Sequence, residues 1–339
     1  MAQRITCFGE LLLRLSAPGR QLLMQSPQLD VCVGGAEANV AVSLARLGHD
    51  AAVVGAVADN ALGEAALGEL RRHGVDIRHV QKIDGRMGLY FLTPGAAQRP
   101  SEVLYDRAGS AFVAAAGGTH DWPALLQGTA WLHVSGVTPA LGQACADATL
   151  AAMRAARAVG AKVSFDGNFR PKLWQAWNGD AAGILRGLIA EADLLFASER
   201  DIEVVLGETL TQDTPQARFH AAAQAAFAAF PNLQRMAATV REQTSVDHHV
   251  LSALSTTRDS AQHHTARHEV GPIIDRIGTG DAFAAGVLHG LLAGMDDGEG
   301  LQFGLSAACL KHSVPGDFNP ISEADIRAFA QGQGFGVRR

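Results

Sequence analysis

The chain has 339 residues, a length that can bury one large α/β core or a core with a smaller appendage. Its apolar fraction of 47% and charged fraction of 18% are ordinary for a globular protein, and no apolar run reaches the roughly 18–20 residues of a membrane helix. A formal net charge of −6 argues against a general nucleic-acid partner or an anionic membrane partner.

The cysteine pattern and the N-terminal sequence predict a cytoplasmic protein. The chain runs directly into a strand-like segment without the pattern of a signal peptide. The cysteines are scattered and form no CxxC pair, so reduced thiols are expected at Cys7, Cys32, Cys145 and Cys309.

Short strands and helices alternate in the first third of the chain. Strands are predicted at 5–9 and 51–57, and helices at 34–48 and 62–73. Four short apolar runs interrupt this alternation, at 11–15, 29–33, 89–93 and 102–106. They flank turn-rich loops, and we interpret them as two hairpins that pair with each other as a small separate sheet.

From residue 130 onward the alternation becomes regular. Strands are predicted at 131–134, 162–166, 193–197, 235–240 and 250–254. Helices are predicted at 141–159, 181–190, 200–206, 216–230, 281–292, 300–311 and 322–330. This pattern predicts an α/β fold with a mostly parallel central sheet flanked by helices on both faces.

The small sheet is expected to act as a lid. An active site in such a fold lies at the carboxyl ends of the core strands, where a small sheet could cover it. The predicted α/β core comprises residues 1–10, 34–88 and 109–339, and the predicted β lid comprises residues 11–33 and 89–108.

A glycine-rich turn at residues 275–286 leads into an apolar helix. Gly278 and Gly280 let backbone N–H groups turn toward an anion, and the first helical turn adds its own free N–H groups and dipole. Asp281 lies in the same turn, where it could meet a hydroxyl that approaches the anion. An anion site beside a carboxylate suits phosphoryl transfer to an alcohol.

A second glycine-rich stretch, residues 34–39, follows a strand and opens a helix. We interpret it as a loop that binds a hydroxyl compound, while a tight turn capped by Asn39 is the alternative. The chain has no GxxxxGK[ST] phosphate loop, and the turn at 278–280 lacks the third glycine of a dinucleotide fingerprint. The histidine pairs at 248–249 and 263–264 are interpreted as loop or surface residues rather than metal ligands.

Together these two stretches resemble the two signatures of the ribokinase-like (PfkB-type) sugar kinases. The resemblance extends over essentially the whole chain and implies ATP, Mg²⁺ and a sugar or sugar-like acceptor. It implies that Asp281 is the catalytic base and that Gly278, Thr279 and Gly280 form the anion hole. It places three residues on the acceptor: Gly34, Gly35 and Asn39.

Two arginines suggest an acidic acceptor. Arg107 lies on a predicted lid strand, and Arg170 follows the end of a core strand, where a ligand should lie. A guanidinium matches a carboxylate better than a neutral hexose. The alternative for each arginine is pairing with a nearby acid such as Asp106 or Asp166.

The local sequence resembles the 2-keto-3-deoxygluconate kinases of the same family at four places: Tyr90 and the runs 105–108, 166–174 and 310–319. The resemblance implies phosphorylation of 2-keto-3-deoxygluconate at its terminal hydroxyl to 2-keto-3-deoxy-6-phosphogluconate, a step of the Entner–Doudoroff route. It implies that the acceptor is bound by Gly34, Gly35, Asn39, Tyr90, Tyr105, Arg107, Asn168 and Arg170. The implied nucleotide contacts are Ser198, Thr239, Arg241, Gly278 and Gly280.

Two departures from the family pattern leave questions open. The Asn-x-x-Glu motif that orders Mg²⁺ is replaced by residues 198–201, Ser-Glu-Arg-Asp, so the metal ligands are unknown. The usual Asp-Thr before the anion hole is Asp275-Arg276, and Arg276 is interpreted as a phosphate clamp or, equally, as a solvent-facing side chain.

The sequence leaves two other functions open. One is a kinase for a neutral sugar or nucleoside, such as fructose, ribose or adenosine, and the other is a catalytically silent sugar-binding relative. The expected partner is a small acidic sugar rather than nucleic acid or a membrane. A dimer through the lid is also expected, because a small sheet with apolar strands is poorly stable alone.

Overall fold

The computed structural model describes residues 3–332, which form two sheets and their covering helices. The strands are β1 (Arg4–Phe8), β2 (Leu12–Ser16), β3 (Asp30–Gly34), β4 (Asp50–Ala58), β5 (Asp76–Ile83), β6 (Gly88–Thr93), β7 (Glu102–Asp106), β8 (Thr129–Ser135), β9 (Lys162–Asp166), β10 (Leu194–Phe196), β11 (Arg235–Gln243), β12 (His249–Thr257), β13 (Gln262–His264) and β14 (His268–Val270). The helices are α1 (Ala36–Arg46), α2 (Ala61–Arg72), α3 (Ala111–Ala116), α4 (Trp122–Leu125), α5 (Gln143–Ala158), α6 (Pro171–Gln175), α7 (Ala181–Ile189), α8 (Glu199–Leu206), α9 (Pro215–Ala229), α10 (Thr279–Ala293), α11 (Asp297–Lys311) and α12 (Glu323–Ala330).

The large sheet is mostly parallel, as predicted. Its order is β13-β12-β11-β10-β9-β8-β1-β4-β5, with β14 also paired to β12. The pairs from β5 to β11 are parallel, whereas β12 runs antiparallel to β11, β13 and β14. Strand β5 is absent from the sequence prediction because it is a half-exposed edge strand rich in charged and polar residues, so it lacks the apolar pattern of a core strand.

The small sheet, in the order β3-β2-β6-β7, joins the two hairpins through a parallel β2–β6 pair. This confirms the predicted pairing of the hairpins. Cross-strand partners alternate between the faces. One face carries the row Cys32, Arg14, Tyr90 and Tyr105, and the other carries the row Val31, Leu15, Phe91 and Leu104.

Helices α10 and α11 pack closely because glycines face each other where they cross. A Cβ added to Gly286 would lie 2.6 Å from the Cα of Gly304, and one added to Gly290 would lie 2.6 Å from the Cα of Gly300. Side chains at these positions would push the helices apart. The helix that begins at residue 279 is therefore held in place along its length.

The described residues also bear on the expectations about membrane helices and cysteines. None of the helices within residues 3–332 combines the length and apolar character needed to cross a membrane. All four cysteines are free; Cys32 is half-buried and the other three are buried.

Candidate active site

A cleft of about 1360 Å³ lies between the carboxyl ends of the large-sheet strands and the Tyr90 face of the small sheet. Both sheets contribute to its wall: Asp166 ends β9 and Thr239 lies on β11, while Tyr90 and Tyr105 come from the small sheet. The predicted site residues all line this cleft except Gly34. The chain thus brings residues from position 35 to position 281 into one site.

Gly278 and Gly280 form the turn at the start of α10 for different reasons. Gly278 has φ 78°, a left-handed conformation, and a Cβ there would overlap the carbonyl oxygen of Asp317. A Cβ on Gly280 would meet no described atom within 4 Å and would project into open space. No side chain caps this helix, so the N–H groups of its first turn remain available to an anion.

Asp281 is buried beside these N–H groups. It is 8% exposed, and the Asn39 side chain donates a hydrogen bond of 2.6 Å to its Oδ2. Burial raises the pKa of Asp281 to about 7; the Asn39 hydrogen bond opposes this shift, and the negative charge of Glu37 adds to it. A carboxyl group with a pKa near neutrality can gain and lose a proton under ordinary conditions, as a general base must.

Asn39 does not cap α1, because the N-cap position is Gly35 and no side chain caps this helix. It is 3% exposed, and its Oδ1 is buried without a hydrogen-bond partner among the described residues. Since buried polar atoms are usually paired, this oxygen is an acceptor suited to a ligand hydroxyl. The amide therefore contacts the Asp281 carboxyl through its nitrogen and keeps its oxygen available.

Asp317 is a site residue that the sequence reasoning missed. It is 3% exposed, lines the cleft and accepts a hydrogen bond of 2.7 Å from the Tyr90 hydroxyl. Gly34 lies behind it, because a Cβ at residue 34 would overlap the Asp317 carboxylate. The signal in the sequence was the Pro315-Gly316 turn, which places this acid directly after α11.

Arg107 has an acid partner, but not the one expected from the sequence. Its Nε donates a hydrogen bond of 2.6 Å to the buried carboxylate of Glu10, whose other oxygen accepts from the Ser110 hydroxyl. The anticipated partner, Asp106, pairs instead with Arg86. Arg107 still lines the cleft, and neither of its Nη atoms donates a hydrogen bond to a residue within 3–332. The guanidinium of Arg107 thus uses its Nε within the protein and has both Nη groups available for a ligand.

Arg170, Arg241 and Arg276 form a positive cluster along the cleft. Arg170 is exposed and has no ion pair within 4 Å in the described part of the chain. Partial burial lowers the pKa of Arg241, and the nearby charges of Arg276 and Arg170 lower it further. Like charges this close favour a bound anion. The position of Arg276 on the cleft wall favours its interpretation as a phosphate clamp.

Acidic groups line the same cleft as this cluster. Burial raises the pKa of Asp166 to about 8, with the charge of Asp281 adding to the shift and that of Arg170 opposing it. Ser198 is the N-cap of α8, and its hydroxyl donates a hydrogen bond of 2.8 Å to Asp201. The structure therefore gives Ser198 a capping role within the protein in addition to its place on the cleft wall.

No group of three or more potential metal ligands occurs among residues 3–332. Mg²⁺ that accompanies a nucleotide needs only one or two protein carboxylates, because phosphates and waters supply its other ligands. Asp166, Glu199 and Asp201 line the same cleft, and their chemistry fits such an ion.

Comparison with known proteins shows the family of this chain. The family model described as pfkB family carbohydrate kinase matches residues 2–324. A 2-dehydro-3-deoxygalactonokinase of Haloferax volcanii is 32% identical over 100% of both chains. A 2-dehydro-3-deoxygluconokinase of Bacillus subtilis is 32% identical over 85% of this chain and 83% of its own.

A solved structure leads to the same family. The 2-dehydro-3-deoxygluconokinase of Thermotoga maritima superposes with a TM-score of 0.90 at 37% identity, covering 97% of this chain and 100% of its own. The resemblance drawn from residues 34–39 and 275–286 is thus confirmed over the length of the fold. The chain belongs to the pfkB family of carbohydrate kinases, and it is a sugar kinase.

Proposed function

We propose that this kinase transfers the γ-phosphoryl group of ATP to the terminal hydroxyl of 2-keto-3-deoxygluconate, or of its galacto epimer, to form the 6-phosphate. The observation that carries the proposal is the buried Asp281–Asn39 pair at the uncapped start of α10, in a cleft that also holds Arg107 and Arg170. The names of the two relatives, one for each epimer, support an acidic acceptor.

Asp281 would act as the base. With a pKa of about 7 it is largely ionised at slightly alkaline pH, and it accepts the proton of the attacking hydroxyl. Phosphoryl transfer has a loose transition state, so the proton can leave late and a modest base is sufficient. The N–H groups at residues 278–281 would stabilise the charge on the equatorial oxygens.

The positive cluster would hold the nucleotide phosphates. Arg241 and Arg276 line the cleft between β11 and the turn before α10. Thr239 and Ser198 lie on the same wall. Bound Mg²⁺ would neutralise phosphate charge, and one or two of the cleft carboxylates Asp166, Glu199 and Asp201 would hold it.

The acceptor would lie between the small sheet and Asp281. Arg170 has an uncommitted guanidinium, and Arg107 retains its two Nη groups, so the pair can bind the carboxylate of a keto acid. Tyr90, Tyr105 and Asn168 line this side of the cleft, with Gly35 and the free Oδ1 of Asn39. Gly34 would contribute indirectly, by giving Asp317 room to approach.

The small sheet would serve both as a lid and as a dimer interface. Its outer row contains Val31, which is 60% exposed, and Leu104, which is 60% exposed, on either side of Leu15 and Phe91. A continuous apolar row on a sheet of this size favours a partner, and a second copy of the chain offers the same row. The division into core and lid at the boundaries given above, and a cytoplasmic location, remain predictions.

A coupled ADP-release assay with ATP tests the acceptor. Turnover is expected with 2-keto-3-deoxygluconate or its epimer, at a kcat/KM at least 100-fold above that for fructose, ribose and adenosine. Equal or higher turnover of a neutral acceptor would contradict the assignment.

Arginine variants test the role of the acceptor carboxylate. Arg170→Ala is expected to raise the KM for the keto acid about tenfold or more without changing the KM for a neutral sugar, because it removes an ion pair. Arg107→Ala should have a similar kinetic effect and also lower stability by about 3 kcal/mol, since Glu10 is left buried and unpaired. Arg72→Ala is the matched control, because Arg72 pairs with Glu69 on the exposed side of α2. Keto-acid turnover unchanged in both cleft variants would overturn the assignment.

A further inference from the structure

Arg14 is a buried charge in the apolar strand β2. It is 3% exposed, and its Cα partners in the small sheet are Cys32 and Tyr90. It is not among the described residues that line the cleft. An arginine this deep needs counter-charges, and it has two, Asp275 and Asp317.

The Asp275 contact connects Arg14 to the turn before the anion hole. Arg14 Nη2 donates a hydrogen bond of 2.7 Å to Asp275 Oδ2. The same carboxylate accepts hydrogen bonds of 3.0 Å from the backbone N–H of Ile277 and 3.0 Å from that of Gly316. Asp275 thus fixes the backbone directly before Gly278 and ties it to the segment that carries Asp317.

The Asp317 contact connects Arg14 to the sugar side of the cleft. Arg14 Nε lies 3.2 Å from Asp317 Oδ1, while the other carboxylate oxygen accepts from Tyr90. The backbone of Asp317 also packs against Gly278, whose Cβ it would exclude. One guanidinium therefore contacts the carboxylates on both sides of the turn that leads into α10.

This bridge is incompletely hydrogen-bonded. Arg14 Nε, Arg14 Nη1 and Asp317 Oδ1 are buried without a hydrogen-bond partner among residues 3–332. The 3.2 Å contact between Nε and Oδ1 is close but does not meet hydrogen-bond geometry. A small movement of the Asp317 side chain toward or away from an acceptor would change this contact. Asp317 is therefore the end of the bridge that a bound sugar can reach.

The charges around the bridge are nearly balanced. Burial raises the pKa of Asp317, and Arg14 is the strongest influence that opposes it; Tyr90 and Lys311 also oppose it, whereas Asp275 adds to it. Lys311 is fully buried, and its ammonium donates to the carbonyl oxygens of Val314 at 2.9 Å and Gly316 at 2.8 Å. Loss of Arg14 would leave the buried Asp317 and the half-buried Asp275 with one ammonium, which already donates to backbone carbonyls.

We propose that Arg14 is a positioning residue that couples acceptor binding to the anion hole. Its guanidinium fixes Asp317 on the acceptor side and, through Asp275, fixes the turn before Gly278. The inference rests on the proposed function only in that the site transfers a phosphoryl group to a hydroxyl, and it holds for any acceptor that contacts Asp317.

The two-pronged contact requires a planar fork. The ammonium of lysine is a point charge that can reach one carboxylate or the other, so Arg14→Lys keeps a positive charge but loses the simultaneous contact. We expect Arg14→Lys to lower kcat about tenfold or more and to leave the KM for ATP within threefold, because the arginine cluster of the nucleotide side is untouched. Arg14→Ala should lower kcat further and also reduce the melting temperature.

The test is steady-state kinetics of full-length wild type, Arg14→Lys, Arg14→Ala and Asp275→Asn, each with a thermal-unfolding curve. Arg72→Lys is the control, since it alters an exposed arginine–carboxylate pair, Arg72 with Glu69 on α2, and should keep wild-type kinetics. Asp275→Asn breaks the same bridge at its other end without creating a cavity, so it should show the same split between kcat and the KM for ATP. It also serves as the readout if both Arg14 variants fail to fold.

Three results would overturn the inference. The first is wild-type kcat and acceptor KM in folded Arg14→Lys. The second is a loss of activity that follows the folded fraction and disappears on cooling, and the third is wild-type kinetics in Asp275→Asn.

The measurements use whichever acceptor the wild type turns over best. If it turns over none, they use ATP hydrolysis, in which water accepts the phosphoryl group and ADP is released. A neutral sugar as best acceptor would therefore contradict the proposed substrate while the effect of Arg14→Lys is still measured.

Discussion

The two halves of the cleft are built in different ways. The phosphate half, taken here as the proposed anion hole, is a continuous stretch, residues 275–286, that offers backbone N–H groups, a left-handed glycine and a helix start. The sugar half is assembled from side chains that are far apart in sequence, such as Asn39, Tyr90, Arg170 and Asp317. The comparison shows that a site made of backbone groups depends on a few positions where almost no substitution is tolerated. A site made of side chains distributes ligand recognition over many residues.

The largest effect is expected at the point where the two halves meet. Asp281→Asn keeps the shape of the side chain and its place beside Asn39 but removes the base, so kcat should fall roughly 10³-fold while the protein stays folded. ADP release with the preferred acceptor measures this. Asp106→Asn, an exposed carboxylate of the small sheet, is the control and should be neutral. A kcat within threefold of wild type would show that Asp281 is not the base.

Alanine substitutions at Gly278 and Gly280 should lower kcat for different reasons and should differ in their effect on stability. Gly278→Ala places a Cβ against the Asp317 carbonyl at φ 78°, so it should cost about 1–2 kcal/mol of stability or more and lower kcat about 10²-fold. Gly280→Ala meets open space, so it should keep wild-type stability and lower kcat by a similar factor through obstruction of the phosphoryl group. Thermal unfolding and kcat separate the two outcomes. Equal melting temperatures for the two variants would contradict this distinction.

The contact between the halves also sets the pH dependence. Asp281 acts when deprotonated, so kcat should rise with pH through about 7. The Asn39 hydrogen bond lowers the pKa of Asp281, and its loss in Asn39→Ala should move the midpoint to higher pH, severalfold lowering kcat at pH 7.

A pH–kcat profile measures this shift. Asn60→Ala removes the N-cap of α2, away from the cleft, and should cost about 1 kcal/mol of stability with an unchanged midpoint. If the midpoint in Asn39→Ala is unchanged or lies at lower pH, Asn39 does not lower the pKa of Asp281.

The smallest catalytic effect is expected on the outer face of the sugar half. Leu104→Glu places a charge in the exposed apolar row, so it should dissociate the proposed dimer and change kcat less than threefold. Light scattering after size-exclusion chromatography gives the mass, and Leu62→Glu, at an exposed leucine of α2, is the control. A wild type that is already monomeric would refute the proposed interface.

This contrast explains what could be predicted from the sequence. Strand–helix alternation, the pairing of the hairpins and the start of α10 follow from local patterns, because periodicity and glycine positions are local properties. The partners of the charged residues are not local: Arg107 pairs with Glu10, 97 positions away, and Arg14 contacts Asp275, 261 positions away. Only folding brings such pairs together, and so Asp317 and Arg14 were missed.

The glycine contacts between α10 and α11 have a consequence for how acceptor preference can change. Gly286 faces Gly304 and Gly290 faces Gly300, so even one added methyl group at Gly286 or Gly290 would push α10 away from α11. A change of acceptor preference therefore has to keep the residues of this helix crossing. It has to come from substitutions in the strands of the small sheet and in residues 166–174. The same chemistry can then be redirected to a new sugar by exchanging side chains on one wall, while the other wall stays constant.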